Sequence, residues 1–473
     1  MRSAAQRRRT VPEPAPLPPG IEARLAEIVG TAHLDVGAEI GPDDMADECL
    51  SCEPTRPLAV VRPSSTAEVS ALLALADREG IPVTARGAGT GLSGGCVPRP
   101  DGLVIHFSRM DRILEIDADN FVAIVEPGVQ LDQLDEALAP LGFIYPVYPG
   151  ETSASLGGNV NTNAGGMRAV KYGVTRHNVL GVEAVLASGE IIECGGKPIK
   201  NSTGYDLTQL IIGSEGTLAF VTKATLRLQP RPAFAATILA PFDTLDEVTR
   251  AVPKVVSSGI APALLEYIDM ATMALMIANG GLDLGIPDDV RAGALAYLVV
   301  QLENADEDRL EEDTMRLGES LVELGATDVY VLPPGAAESL IGAREKAFWL
   351  AKSAGADDLL DVVVPRASMS VFMERVQKLA DESGTRIPGC GHAGDGNVHM
   401  AVFQSDPEVR TTVMRRIFEV AIELGGAISG EHGLGKEKRK YFLELESPEK
   451  VALMRRIKAA FDPKGILNPG TVL

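Results

Sequence analysis

An α+β fold in two working parts is predicted by three features of the sequence. Glycine-rich loops occupy residues 86–95 and 149–166 between short strand patterns, two strand-helix-strand units follow Pro230, and a histidine-bearing hairpin pattern is centred on Asp395-Gly396. The first part should span residues 21–230 and the second 231–425, with 426–473 returning to the first. Residues 1–20, MRSAAQRRRTVPEPAPLPPG, carry charge and proline without an apolar core, and read as a disordered tail rather than a signal peptide.

Composition excludes several classes of function. The chain has 473 residues, 45% of them hydrophobic, enough to bury large cores. Its 44 basic and 65 acidic residues give a net charge of -21, which repels nucleic acid and anionic lipid. No apolar run approaches the roughly 18 residues that span a bilayer, so a cytoplasmic protein, at most peripheral to a membrane, is expected. Five cysteines argue against a disulfide framework. The Cys49-x-x-Cys52 pair has no second pair to complete a metal site, and Cys390 reads as a small buried side chain.

Taken in order, Ser65 and Glu68 have capping-box spacing, and Val69, Leu72, Leu73 and Ala76 continue a helix to about Gly80. An extended 83–85 then delivers Arg86, Gly87, Ala88, Gly89, Thr90, Gly91, Leu92, Ser93 and Gly94. Gly89, Gly91 and Gly94 spell a dinucleotide fingerprint, yet Pro98 and Pro100 forbid the helix that gives it meaning. The loop is better read as a diphosphate cradle, with bare backbone N–H groups and the Thr90 and Ser93 hydroxyls as donors. A strand over 121–125 and a helix over 131–141 lead to the second loop. Pro149, Gly150, Ser155, Gly157, Gly158, Asn159, Asn163, Gly165 and Gly166 lie there in a run without helical or strand periodicity, suited to a planar heterocycle. A hairpin over 180–186 and 190–194 and a Glu215-Gly216 turn complete this part.

Past Pro230, strand 235–240, helix 245–257 and strand 263–268 form one unit, and 296–302, 308–324 and 328–332 another. Together they predict ferredoxin-like βαβ units covering one face of an antiparallel sheet. A helix over 335–354 carries Arg344, and a strand over 359–364, a helix over 368–382 and a helix over 407–424 follow.

The chemistry is expected at Gly391–His399, GHAGDGNVH. A two-residue turn at Asp395-Gly396 would set His392 directly opposite His399, with Cβ atoms roughly 4.5 to 5.5 Å apart. Two such imidazoles can share a divalent metal, and Glu431, beside His432 in SGEHGLGKEKR, is the candidate third ligand. Two imidazoles and a carboxylate suit zinc, manganese or iron. The competing reading is a cross-strand polar pair on a solvated hairpin.

These motifs resemble the FAD-binding domain of the p-cresol methylhydroxylase (PCMH) and vanillyl-alcohol oxidase type. With GHAGDGNVH and the Glu431-His432 pair, the resemblance narrows to the branch holding D-lactate dehydrogenase, the glycolate oxidase flavoprotein subunit and D-2-hydroxyglutarate dehydrogenase. It covers about Pro57 to Gly470, and departs at Ala219 and Thr471, where those proteins usually have glycine and lysine. The resemblance implies a PCMH-type FAD domain, a substrate (cap) domain, and noncovalent FAD, since residues 86–95 lack an attachment histidine. It also implies oxidation of a 2-hydroxy acid to the 2-oxo acid, with His432 as base, Arg344 on the substrate carboxylate, and Asn468 near the flavin. Quinone, cytochrome, electron-transfer flavoprotein or oxygen could each reoxidise the flavin, and a homodimer is compatible with the sequence. The alternative is a catalytically silent FAD-binding subunit of a larger oxidase complex.

Overall fold

The computed structural model describes residues 16–280, 282, 284–287, 290 and 293–473. The tail predicted over 1–20 therefore lies, up to residue 15, outside the described residues.

The first glycine-rich loop leaves the end of an edge strand. Val83–Arg86 pairs in parallel with Leu103–His106, which pairs in parallel with Ala59–Val61, and Leu34–Val36 joins antiparallel to close a four-stranded sheet. Parallel neighbours need a crossover, and the predicted helix supplies it as Thr66–Glu79. Its Ser65 cap accepts the Glu68 N–H at 3.3 Å, and its Leu72, Leu73 and Ala76 face a core shared with Val61, Val83 and Ile105. No helix follows the loop, as Pro98 and Pro100 require.

A second sheet is antiparallel, in the order Ile113–Asp117, Val122–Val125, Phe220–Arg227, Val179–Val185 and Ile191–Gly195. Helices Leu131–Leu138 and Leu156–Thr162 cover its apolar face. The second of these corrects the expectation of an aperiodic loop over 149–166. Ser155 caps it, Leu156 and Val160 reach the core, and Asn163 ends it at φ 54°. Three local signals outweigh the glycines' weak helix propensity.

The remaining large sheet has seven antiparallel strands. Their order is Tyr330–Leu332, Phe234–Phe242, Ala296–Asn304, Leu264–Asp269, Gly389–Gly391, Asn397–Val402 and Asp358–Val363. The first four strands in the chain sit in the spatial order fourth, first, third, second, which is the ferredoxin-like arrangement predicted. Helices Leu245–Ser257, Glu307–Glu323, Met369–Ser383 and Pro407–Glu423 bury one face through Val252, Leu317, Phe372 and Ile417. Helices Met270–Gly280 and Pro334–Glu345 pack on the other, with Met276 and Leu340 against Ile268 and Tyr297. The single helix expected over 335–354 is two, because the chain bends at Lys346 before Ala347–Ser353.

The chain's end returns to the first sheet. Val83 N donates to Ile466 O and Asn468 N to Val83 O, both at 2.8 Å, and Ile466 and Leu467 enter that core.

Candidate active site

The hairpin forms, but its turn is longer than predicted. Cys390, not His392, pairs with His399, and a helical turn over Ala393–Asp395 replaces the two-residue loop, with Asp395 N and Asn397 N donating to His392 O at 2.9 and 3.2 Å. A shift of two residues preserves the face on which each side chain lies. His392 and His399 therefore become diagonal neighbours on one face, with ring centroids 4.8 Å apart.

Glu431 reaches both imidazoles from the loop after Ile428. Its Oε1 lies 2.9 Å from His392 Nε2 and 3.2 Å from His399 Nε2. Ligand atoms around a tetrahedral zinc, bonded at about 2.0–2.1 Å, are separated by roughly 3.3 Å, so these two separations are close to those of a cation site, and all three ligand atoms lie within 4.8 Å of one another.

Asp361 holds that loop in place. Its Oδ2 accepts the Ser429 hydroxyl at 2.8 Å and the N–H groups of Gly430, Glu431 and His432 at 3.1, 3.0 and 2.8 Å, while Oδ1 accepts Asn397 Nδ2 at 2.9 Å. Asp361 also stands within ligand distance of His399 and His432. With both oxygens so occupied it serves as scaffold, which leaves Glu431 as the carboxylate open to an ion.

A second buried carboxylate, Glu266 on Leu264–Asp269, accepts from His392 Nδ1 at 2.6 Å. Its Oε2 lies 2.8 Å from Arg344 Nη2 in an ion pair too bent for a hydrogen bond. Arg344 is buried in the cleft, and its Nε and Nη2 have no hydrogen-bond partner. Neither Glu266 nor Asp361 belongs to a sequence motif. Each is a lone carboxylate inside an apolar strand run, ALLEYID and LLDVVV, and that contrast was the available signal.

The electrostatics follow from this burial. Desolvation disfavours a charged His392, but the carboxylates of Glu266 and Glu431 outweigh it and raise its pKa to about 10. Burial would raise Glu431 too, yet His392 and His399 hold it well below the usual carboxylate range. His432 is different: burial, offset only in part by Asp361, lowers it to about 4 and leaves it neutral, with a lone pair to accept a proton.

The histidines face a cleft of about 280 Å³ whose opposite wall is built from the two glycine-rich loops. Gly87, Ala88, Gly89, Thr90, Gly91 and Leu92 line it, with Pro149, Gly150, Ser155, Gly158, Asn159 and Gly165. A smaller cavity of about 80 Å³ adjoins it, lined by Ser93, Gly157, Glu215, Gly216 and Asn468, and His432 lines both. The halves touch closely: a Cβ on Gly165 would stand 2.5 Å from Glu431 Oε2. Ser155 Oγ accepts the N–H groups of Ala88 and Gly158 at 3.2 and 3.3 Å, joining the two loops, and a Cβ on Gly87 would strike that hydroxyl.

Six residues expected at the cofactor make contacts within the chain. Arg86 lies beneath Gly89 and donates to Ala46 O at 2.6 Å. Gly94 makes room for Cys52 Sγ, Gly166 for the Tyr148 carbonyl, and Asn163 Oδ1 accepts the Arg176 N–H at 3.0 Å. The Ser93 hydroxyl, expected to reach phosphate, donates to the carbonyls of His432 and Gly433 at 3.1 and 3.0 Å. Glu215 accepts the N–H groups of Leu434 and Gly435, both at 2.8 Å, so it ties the His432 loop to the first part of the chain.

The cleft fits a dinucleotide by its own chemistry. Asn159 Nδ2 and Asn468 Oδ1 are buried on its walls without a partner, and the glycines leave space that side chains would fill. Comparison with known proteins agrees. Residues 57–195 match the family described as FAD binding domain, and 231–472 match FAD linked oxidases, C-terminal domain. An uncharacterized FAD-linked oxidoreductase of Mycobacterium tuberculosis is 58% identical over 95% of this chain and 98% of its own length. The D-lactate dehydrogenase of Archaeoglobus fulgidus is 41% identical over 88% and 91%, and the glycolate oxidase subunit GlcD of Escherichia coli 36% identical over 89% and 85%. Among solved structures, substrate-bound p-cresol methylhydroxylase has a TM-score of 0.78 at 16% identity over 95% of this chain and 96% of its own, a likeness of fold. No helix among the described residues is long and apolar enough to cross a membrane. The chain belongs to the FAD-linked oxidoreductases of the D-lactate dehydrogenase, glycolate oxidase and D-2-hydroxyglutarate dehydrogenase family.

Proposed function

We propose that the protein oxidises a 2-hydroxy acid to the 2-oxo acid, using noncovalent FAD and a divalent cation held by His392, His399 and Glu431. The observation that carries this reading is the convergence of His392 Nε2 and His399 Nε2 on Glu431 Oε1, 2.9 and 3.2 Å away, in a cleft whose other wall is the glycine-rich loops. Gly87 to Leu92, Ser155, Gly157 to Asn159, Gly165, Gly216 and Asn468 would hold the flavin. When bound, FAD accepts two electrons as hydride from the α-carbon, and the cation polarises the oxygens of the hydroxy acid.

The chain's own groups do the rest. His432 takes the hydroxyl proton, so that loss of hydride from the same carbon leaves a neutral C=O bond. Arg344 presents Nε and Nη2, both without hydrogen-bond partners, to the substrate carboxylate. Glu266 fixes the orientation of His392, and Asp361 fixes the loop that carries Glu431 and His432. The test is anaerobic bleaching of the purified yellow protein by D- and L-2-hydroxy acids, before and after chelation. Bleaching that stops on chelation and returns with zinc or manganese supports the reading. Equal rates without metal, or a colourless protein, would end it.

A further inference from the structure

The cleft continues past the histidines into an apolar chamber. Along the paired strands Asp361 faces His399, and two residues further on Leu359 faces Ala401, a step of about 6.6 to 6.8 Å. Phe403 lies one more step along the same face. Helix Ala347–Ser353 sets Phe348 and Trp349 edge to face with ring centroids 5.0 Å apart, and Leu275 adds a wall from Met270–Gly280. All six side chains line the cleft. Trp349 is 41% exposed, and Leu359, Phe348 and Phe403 are only half-buried. Apolar surface thus lies open beside the histidine cluster, where a ligand would cover it.

Charge around the chamber points the same way. Among the described residues Arg344 is the one lysine or arginine in the lining, and it sits at the histidine end against Glu266. Lys352 is outside the lining, with its Nζ 5.0 Å from the Trp349 ring centroid and paired with Glu48. Arg386 is also outside, stacked 4.2 Å from the Phe403 ring centroid. Glu151 and Glu345 line the cleft, as does Glu48, which Lys352 already pairs, so a second substrate carboxylate would meet no dedicated cation among the described residues.

Resting on the 2-hydroxy acid reading above, we propose that the substrate is a monocarboxylic 2-hydroxy acid with a branched-alkyl or aryl side chain, received by Leu359, Ala401, Phe403, Phe348 and Trp349. Even one methylene in an apolar pocket is worth roughly 10- to 200-fold in discrimination. The FAD-loaded protein with a dye acceptor should therefore show kcat/KM at least about tenfold higher for 2-hydroxy-4-methylpentanoate and 3-phenyllactate than for lactate and glycolate, and lowest for 2-hydroxyglutarate. Ala401→Phe fills the chamber and should lower the ratio of branched to lactate kcat/KM by about tenfold or more. Phe403→Ala should change the same ratio if the first variant fails to hold FAD. Lactate or glycolate as the best substrate would overturn the apolar chamber while leaving the 2-hydroxy acid reading standing, as would preference for 2-hydroxyglutarate. A ratio unmoved by either variant would overturn the placement. Absence of turnover with every 2-hydroxy acid would overturn both.

Discussion

Glu266 Oε1 lies 2.6 Å from His392 Nδ1, and the other oxygen of the same carboxylate lies 2.8 Å from Arg344 Nη2. One buried acid thus couples the proposed metal ligand to the proposed carboxylate clamp. By accepting the Nδ1 proton it fixes the ring with Nε2 facing Glu431, where a bound cation would replace the proton that now bridges the two. Glu266→Gln should weaken metal binding 10- to 100-fold, read by competition against a chromogenic chelator, with FAD content unchanged. Wild-type affinity in that variant would remove Glu266 from the site.

His432 separates catalysis from mere flavin binding. It lines both cavities, its ring centroid is 4.9 Å from that of His399, and the Asp361 carboxylate fixes its backbone N–H. His432→Ala should slow anaerobic flavin reduction by about 10² to 10⁴ while FAD and metal contents stay at wild-type levels. An unchanged rate of reduction would favour the silent-subunit reading.

How legible this site was in the sequence depended on the range of the interactions involved. The histidines can be placed on one face because strand periodicity survives an error of two in register, even though the turn after His392 is longer than Asp395-Gly396 suggests. The ferredoxin-like order was legible because its strand and helix patterns alternate regularly. Glu266 was not, since it acquires its role only when Leu264–Asp269 pairs with Gly389–Gly391, more than a hundred residues away in the chain. Ser93 and Glu215 line the smaller cavity and also hold the His432–Gly435 backbone, a contact that only tertiary folding creates.

Those bonds give a further test. Glu215 is a half-buried carboxylate whose two oxygens accept the N–H groups of Leu434 and Gly435 in one loop. Bonds to a charged acceptor are worth about 1.5 to 3 kcal/mol each, and truncation leaves both donors unpaired. Glu215→Ala should lower stability by about 2 to 5 kcal/mol in urea titration and should also depress kcat, because the same loop carries His432. Unaltered stability would mean that the loop is held elsewhere.

His106 gives a pH test outside the site. Its Nδ1 accepts the Ser108 N–H at 3.2 Å, a bond that needs the neutral ring. Burial, reinforced by Arg86 and Arg62 and opposed by Asp35, lowers its pKa to about 4, and Asp44 Oδ1 at 3.8 Å is too distant to reverse this. The unfolded chain takes up the proton near pH 6.5, whereas the folded chain resists until about pH 4. The contribution is therefore complete above pH 6.5 and is lost as the pH falls toward 4, by up to about 3 kcal/mol. His106→Gln keeps an acceptor for Ser108 but cannot titrate, so its stability should fall less than wild type between pH 7 and pH 5. Parallel urea midpoints for the two proteins over that interval would show that folding does not lower the His106 pKa.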